Sequence, residues 1–299
     1  MNIYTTLDPE TLEQPELHRC LLAAIAPRPI CLASSINTQG EINLSPFSYF
    51  NVFSSNPPIL IFSPARRGTD NQTKHTLENA KEIPEIVVNV VNHAMVEQTS
   101  LSSIAFDKGV NEFVKSGLTP VESQIVKPPR VGEAPISLEC LVEQILPLGE
   151  GPGAGNLIIC RVILIHLQNE FLDEKGQLDP HRLDLVGRMG HQWYVRASGE
   201  ALFPLEKPQK EGIGVDQLPE SIRRSSVLTG NELGRLGQQT HFPKANEIKA
   251  LHHSPAIQKI SFKGSPENQI KKLHQMAQKV MKNGKYQEAL RILLFADQL

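Results

Sequence analysis

The chain has 299 residues, 40% of them hydrophobic and 21% charged, a balance that supports a packed core and excludes wholesale disorder. The net charge of −2 excludes a strongly basic nucleic-acid binder. The average hides an asymmetry: residues 1–206 carry 15 Lys and Arg against 24 Asp and Glu, whereas residues 207–299 carry 15 against 8, so an acidic body precedes a basic tail.

In chain order, the pattern predicts a lead-in with a short helix around Thr11–Ala24, then mostly strands. Pro29–Ile36 is an apolar strand followed by a turn at Asn37–Gly40. Ile42–Phe53 reads as one extended run in which Pro46 opposes a central position. Ile59–Ser63 is a strand entered through Pro57-Pro58, and residues 64–73 are a loop. Leu77, Ala80 and Ile83 give Thr73–Ile83 a helical face. Glu85–Val91, Ser137–Leu146, Asn156–Gln168 and Gly190–Ser198 are further strands, with a helical stretch over His93–Ile104. Many short strands with Pro and Gly turns and few helices point to a Greek-key barrel or sandwich.

Composition changes near Phe203-Pro204. Weak helical signals follow at Pro219–Leu228 and Thr229–Leu236. Ser265 is placed as an N-cap ahead of Pro266, Ile270, Leu273, Ala277 and Val280 repeat at helical spacing, and Gly284 separates a second helix over Tyr286–Gln298. Gly284-x-Tyr286-x-Glu288-Ala289 resembles the junction of one tetratricopeptide repeat. A single repeat cannot bury its own face, so this hairpin must pack on something. The expected organisation is a body over 1–205, a linker with short helices over 206–264 and a helical hairpin over 265–299.

The four cysteines, Cys20, Cys31, Cys140 and Cys160, form no C-x-x-C pair. No histidine spacing matches a metal site, and no segment reads as a membrane span. The glycine run 149–155 precedes a strand-like segment, so it reads as a hairpin connection and not as a dinucleotide loop. No G-x-S-x-G elbow is present. With no export pattern either, the expected setting is the cytoplasm.

Three stretches carry the functional signal: Arg28-Pro-Ile-Cys-Leu-Ala-Ser-Ser35, Asn43-Leu-Ser-Pro-Phe-Ser-Tyr-Phe-Asn51 and Ser54-Ser-Asn-Pro-Pro58. In the second, short hydroxyl side chains alternate with aromatic ones, a pattern that lets a planar ligand approach the backbone between apolar walls. These stretches resemble the signature of the flavin-reductase-like, FMN-binding split-barrel family, which includes the flavoredoxins. The resemblance continues through Lys74-His75-Thr76-Leu77-Glu78-Asn79 and Val87-Val88-Asn89. There His75 stands for the usual Asp, and Pro84 for a common turn Gly. It ends at Arg188-Met-Gly-His-Gln-Trp-Tyr194, where His191 stands for a second Gly.

Over residues 18–200 the resemblance implies a mainly β fold: an FMN-binding split β-barrel with short helices, to which the C-terminal α-helical extension is added. It implies a homodimer and an oxidoreductase taking electrons from NAD(P)H through FMN to an acceptor. A flavin electron carrier without its own activity is the alternative, as is an interaction protein whose basic tail binds a protein partner. Lys74 and Thr76, at a helix start, are the phosphate candidates. Arg28 is a candidate for the phosphate or the flavin's carbonyl edge. Ser45, Phe47, Ser48, Asn51 and Ser63 are placed along the ribityl chain and ring. No catalytic acid or base is assigned, and no metal is expected.

Overall fold

The computed structural model describes residues 3–208, 210–261 and 265–299; Gln209 and residues 262–264, in the segment expected to be a linker, lie outside the described residues, as do residues 1–2. The chain divides into two compact units, Met1–Phe203 and Pro204–Leu299.

The first unit contains twelve strands among its described residues: β1 (Arg28–Pro29), β2 (Cys31–Ile36), β3 (Ile42–Phe47), β4 (Phe50–Ser55), β5 (Pro58–Phe62), β6 (Glu85–Val90), β7 (Pro120–Val121), β8 (Arg130–Val131), β9 (Ile136–Pro147), β10 (Asn156–Leu167), β11 (Val186–Gly190) and β12 (Trp193–Arg196). Seven form one antiparallel sheet in the order β3-β2-β6-β9-β10-β5-β4. The outer strands β3 and β4 are separated in sequence by only Ser48 and Tyr49. In a flat sheet they would lie about 29 Å apart, at ~4.8 Å per strand spacing. Three Cα–Cα steps reach no more than about 11 Å. The sheet must therefore curl until its edges meet at that corner, and β3 and β4 do not pair there. The result is the expected split barrel with short helices and a C-terminal helical part.

The extended run expected over Ile42–Phe53 is thus two strands at opposite edges of the sheet. Pro46 lies on an outer strand, where its missing N–H costs no ladder bond. The strand over Val186–Gly190 and the helix Glu112–Ser116 carry no sequence signal strong enough to be expected.

Alternate residues face opposite sides. Cys31, Ala33, Phe47, Leu60, Phe62, Ile86, Val88, Cys140, Ile158 and Cys160 pack together inside the barrel. Ile30, Leu32 and Leu44 pack on the other face with Met95, Phe113 and Val131. Burial pushes the thiol of Cys140 up to about 12, with the Glu139 charge adding to it, so this cysteine is an inert apolar filler.

Polar groups in this interior are tied down. Asn89, fully buried, donates to Leu32 O (3.1 Å) and accepts from Val131 N (2.9 Å) and Ser137 Oγ (2.8 Å), which joins β2, β8 and β9 to its own strand β6. The carboxylate of Glu139, also fully buried, accepts the amides of Gln124 (2.7 Å), Ile125 (2.7 Å) and Val126 (3.0 Å) and meets His166 Nε2 at 2.7 Å. Burial alone would raise its pKa, but these donors hold it below the ordinary carboxylate value.

The second unit is helical. The hairpin of Pro266–Met281 and Tyr286–Ala296 turns at Gly284, whose φ of +74° favours glycine. It packs on the short helices before it: Leu218, Ile222, Leu228, Leu236, Ile248 and Ile257 share one core with Leu273, Ala277, Leu290 and Phe295. The segment read as a linker thus supplies the surface that a lone helical hairpin needs. Thr229 and Glu232 form a reciprocal capping box at helix Gly230–Gly237. Ser265 occupies the N-cap position ahead of Pro266, but its side chain makes no capping bond. Among the described residues no helix is long and apolar enough to cross a membrane.

The Glu139 clasp makes a quantitative prediction. Glu139→Ala strands three amides, and at about 1 kcal/mol for each group left unsatisfied the loss is about 3 kcal/mol. Urea unfolding followed by circular dichroism measures it; a loss below about 1 kcal/mol would show that water replaces the carboxylate at no cost.

Candidate functional site

Helix His75–Glu82 is fixed to the barrel by its own small polar residues. The buried Thr76 hydroxyl accepts from Asn43 Nδ2 at 2.9 Å, and buried Asn79 donates to Ser35 Oγ at 3.1 Å. These two bonds dock the helix on β3 and β2. Lys74 stands at the N-cap position, where its side chain makes no capping bond and the first helical amides lack intrahelical partners.

Cations crowd this end. Lys74 is held below the ordinary lysine value by burial first and then by Arg67, against the opposing charge of Glu112. His75 is lowered by burial, with Arg67, Lys108 and Lys74 acting the same way and Glu78 opposing. Arg67 Nη1 is 3.6 Å from Asp70, while its Nε is buried without a partner. Glu112 is buried and accepts the amide of Leu44 at 2.9 Å; burial raises its pKa against that bond and the charge of Lys74. An anion placed here would meet the partnerless N–H of Arg67 and relieve the repulsion between Arg67 and Lys74.

From Asn43, β3 runs about 14 Å to Phe47 at ~3.4 Å per residue. The Phe47 and Phe62 rings lie 5.1 Å apart and are tilted by 42°. Beside them Pro46, Phe47, Ser48, Ser100, Arg188 and Tyr194 line a concavity of about 220 Å³. The Arg188 guanidinium lies 4.6 Å from the Tyr194 ring centroid and donates to His191 O at 2.7 Å.

The expected site residues separate into groups. Lys74 and Thr76 lie together at the cationic end; Thr76 Oγ1 accepts from Asn43, which leaves its O–H as a donor. Ser45 is half-buried on β3 between the two ends, and Phe47 and Ser48 stand at the far end. Ser63 is buried just after β5; a Cβ on Gly155 would lie 2.7 Å from its Oγ, so the glycine run packs directly over it. That run is the connection of the β9–β10 hairpin, and it clasps the loop carrying Arg67, through Arg66 N to Ala154 O (2.8 Å) and Gly153 N to Arg66 O (3.1 Å). Asn51 is exposed on the outer strand β4, its side chain accepting the amide of Val52 at 2.8 Å.

Arg28 is turned elsewhere. Its Nη1 donates to Leu22 O and, at 2.6 Å, to Ile25 O, at the end of helix Gln14–Ala24, while its Nε and Nη2 are buried without partners. Burial lowers its pKa; Tyr49 opposes the shift and Arg188 adds to it. Arg28 thus feels Tyr49 and Arg188, whereas Lys74 feels Arg67 and Glu112. Arg67 and Glu112 were not legible as site residues, although the Arg66-Arg67 pair ahead of Lys74 is a signal that could have found the first.

A sequence profile of the flavin reductase like domain matches residues 23–182. The chain belongs to the flavin reductase like family. An uncharacterised protein of Aquifex aeolicus is 36% identical over 184 residues, which are 62% of this chain and 91% of its own. Among solved structures, nitrilotriacetate monooxygenase component B from Bacillus cereus is 31% identical with a TM-score of 0.63, covering 69% of this chain and 100% of that one. The 2-nitrobenzoate 2-nitroreductase of Pseudomonas fluorescens is 26% identical with a TM-score of 0.59, covering 69% and 97%. The cofactor class of the flavin reductase like family is a flavin, and the cationic end fits the phosphate of such a group. The profile ends before the second unit begins.

One departure from the family pattern is explained by the backbone. His191 stands where the pattern has glycine, and its φ of +47° is left-handed. Left-handed backbone costs a side chain about 1–2 kcal/mol, against the roughly 0.5–1 kcal/mol entropic cost of a glycine. His191→Gly should therefore stabilise the chain by about 0.5–1 kcal/mol in urea unfolding. A destabilised variant would show that the imidazole makes a contact worth more than the strain.

Proposed function

We propose that the chain holds FMN, with the phosphate at Arg67, Lys74 and the start of helix His75–Glu82 and the ring toward Phe47 and Ser48, and that it passes electrons from NAD(P)H through the flavin to an acceptor. The observation that supports this most directly is the crowd of cations around the partnerless Arg67 N–H in a chain of the flavin reductase like family. A terminal phosphate is a dianion and satisfies several such donors together, which favours FMN over a flavin whose phosphate is extended by a nucleotide. When bound, the flavin supplies the hydride and electron chemistry.

The chain's own residues bind and orient. Lys74 and Arg67 take the phosphate with the Thr76 O–H, while Thr76 Oγ1 also docks the helix by accepting from Asn43. Ser45 and Ser63 border the ribityl chain, and Phe47, backed by the buried Phe62, gives the ring an apolar wall. Arg28 supports the ring end by holding helix Gln14–Ala24 beside Arg188. The names of the Bacillus and Pseudomonas relatives, a monooxygenase component and a nitroreductase, both favour redox work over a purely structural role. Buried, unpaired Cys31, Cys140 and Cys160 suit the reducing cytoplasm.

The same reading includes a homodimer. The outer strand β4 leaves Val52 69% and Phe53 65% exposed, apolar surface that a second copy would cover. Asn51, exposed on that strand, would then face the flavin of the other subunit. Light scattering should return twice the chain mass; a monomer mass with bound flavin would remove the dimer and the role of Asn51 with it.

The phosphate assignment is tested by two ligands. A hydrogen bond to a charged group is worth about 1.5–3 kcal/mol, so Lys74→Ala should weaken FMN tenfold to a hundredfold, on the order expected for that energy. Riboflavin, which lacks the phosphate, should bind both proteins alike. Equal weakening of the two ligands would mean that Lys74 supports the fold and does not read the phosphate.

A further inference from the structure

The second unit carries 15 Lys and Arg against 9 Asp and Glu, and part of that excess converges. Lys207, Lys210 and Arg235 line one groove of about 650 Å³ with Gln239, Thr240 and Tyr286. Glu206 stands on the same lining. Among the described residues none of the three cations has an ion-pair partner; the unit's ion pairs there are Arg224–Glu220 and Lys285–Glu288. The Arg235 guanidinium sits 5.9 Å from the Tyr286 ring centroid.

The wall of the groove is built by close backbone packing. Ile213 N donates to Gln239 O at 2.7 Å and Gly214 N to Gly237 O at 2.9 Å. A Cβ on Gly212 would lie 2.3 Å from Gly237 O, so only glycine allows the segment after Lys210 to lie against the end of helix Gly230–Gly237. Gln287 ties the other side, donating to Gln239 Oε1 and His241 O, each at 3.2 Å.

We infer that this groove binds a nucleotide, a phosphorylated small molecule with a planar ring. Three cations without an ion-pair partner match a chain of phosphates. The planar Arg235 guanidinium beside the Tyr286 ring, which among the described residues bonds only Gln238 at 3.5 Å, gives a flat surface on which a ring can stack. The volume lies within the roughly 300–1,000 Å³ of small-molecule sites. A stable protein partner needs about 20–30 residues on each side, more than this groove presents. The site is independent of the flavin site, which lies in the other unit.

The test is calorimetric titration of ADP into the full chain preloaded with FMN, so that the flavin site is filled. ADP should bind the unaltered chain. The exposed pair Lys207→Gln/Lys210→Gln should weaken it at least tenfold, and Arg235→Gln should weaken it further. Rising salt should weaken binding in the unaltered chain. No heat from ADP, or an affinity untouched by the lysine pair, would overturn the inference. So would poly-glutamate binding that depends on the lysine pair and that ADP cannot displace, since the groove would then serve an acidic polypeptide. Release of FMN from the preloaded chain by ADP would locate the nucleotide at the flavin site and overturn it as well.

Discussion

The bond from Leu44 N to the buried carboxylate of Glu112 is the interaction on which the first unit's site depends. In an antiparallel strand, alternate residues turn their N–H groups to the same edge. β3 is an outer strand, so the residues of one parity face away from the sheet. Leu44 finds its acceptor in Glu112, and Pro46 of the same parity has no N–H to satisfy. An edge closed this way does not recruit another strand. The same carboxylate lies within the field of Lys74, so closing the edge also places a negative charge behind the lysine. Asn43, on the same strand, receives the helix through Thr76. One strand therefore carries the helix that bears the cationic end and also reaches the aromatic pair at the other.

The barrel around this strand leaves few polar groups unpaired. Asn89 and Glu139 satisfy amides and carbonyls from several strands and loops, as buried polar groups must. Among the described residues of the first unit, the buried side-chain atoms without partners belong to Arg28, Arg67 and Asn92. Arg67 lies at the cationic end and Arg28 is paired in register with Arg188, on the rim of the concavity. A folded chain retains such unsatisfied donors at a cost, and a ligand that accepts from them returns part of it. The flavin reading rests on where that cost is concentrated.

Much of the fold was legible because its periods are simple. Cys31–Ile36, buried along nearly its whole length, reads as a short and largely apolar run, and Leu157–Leu167 as a longer one interrupted by Arg161; the C-terminal hairpin announces itself through helical spacing and Gly284. The separation of β3 from β4 was not legible, because a corner at Ser48–Tyr49 leaves no mark when both flanking runs are extended. Pro46 was the available hint, and it fits the edge position. Within the site, the Lys74-x-Thr76 pattern was readable as an anion-binding helix start. It could not show that Thr76 would also accept a bond from Asn43, since that bond joins residues 33 apart in sequence. Arg28 was readable as a charged residue heading a strand, yet its Nη1 is committed to carbonyls at the end of a helix that precedes it, with Nε and Nη2 left without partners. Glu112 gave no signal at all: a single acid in a five-residue helix is unremarkable until the strand edge it closes is known.

On the proposed function, this barrel binds a flavin and reduces it with a nicotinamide donor. The most direct measurement is the visible absorption spectrum of the full chain, reconstituted with FMN, desalted and held under argon, before and after addition of NADH or NADPH. The expected result is a flavin spectrum retained at close to one flavin per chain and bleached by at least one of the two donors. A colourless protein after desalting would contradict flavin binding. A yellow protein that neither donor bleaches, while dithionite does, would contradict the reductase reading and leave a flavin carrier.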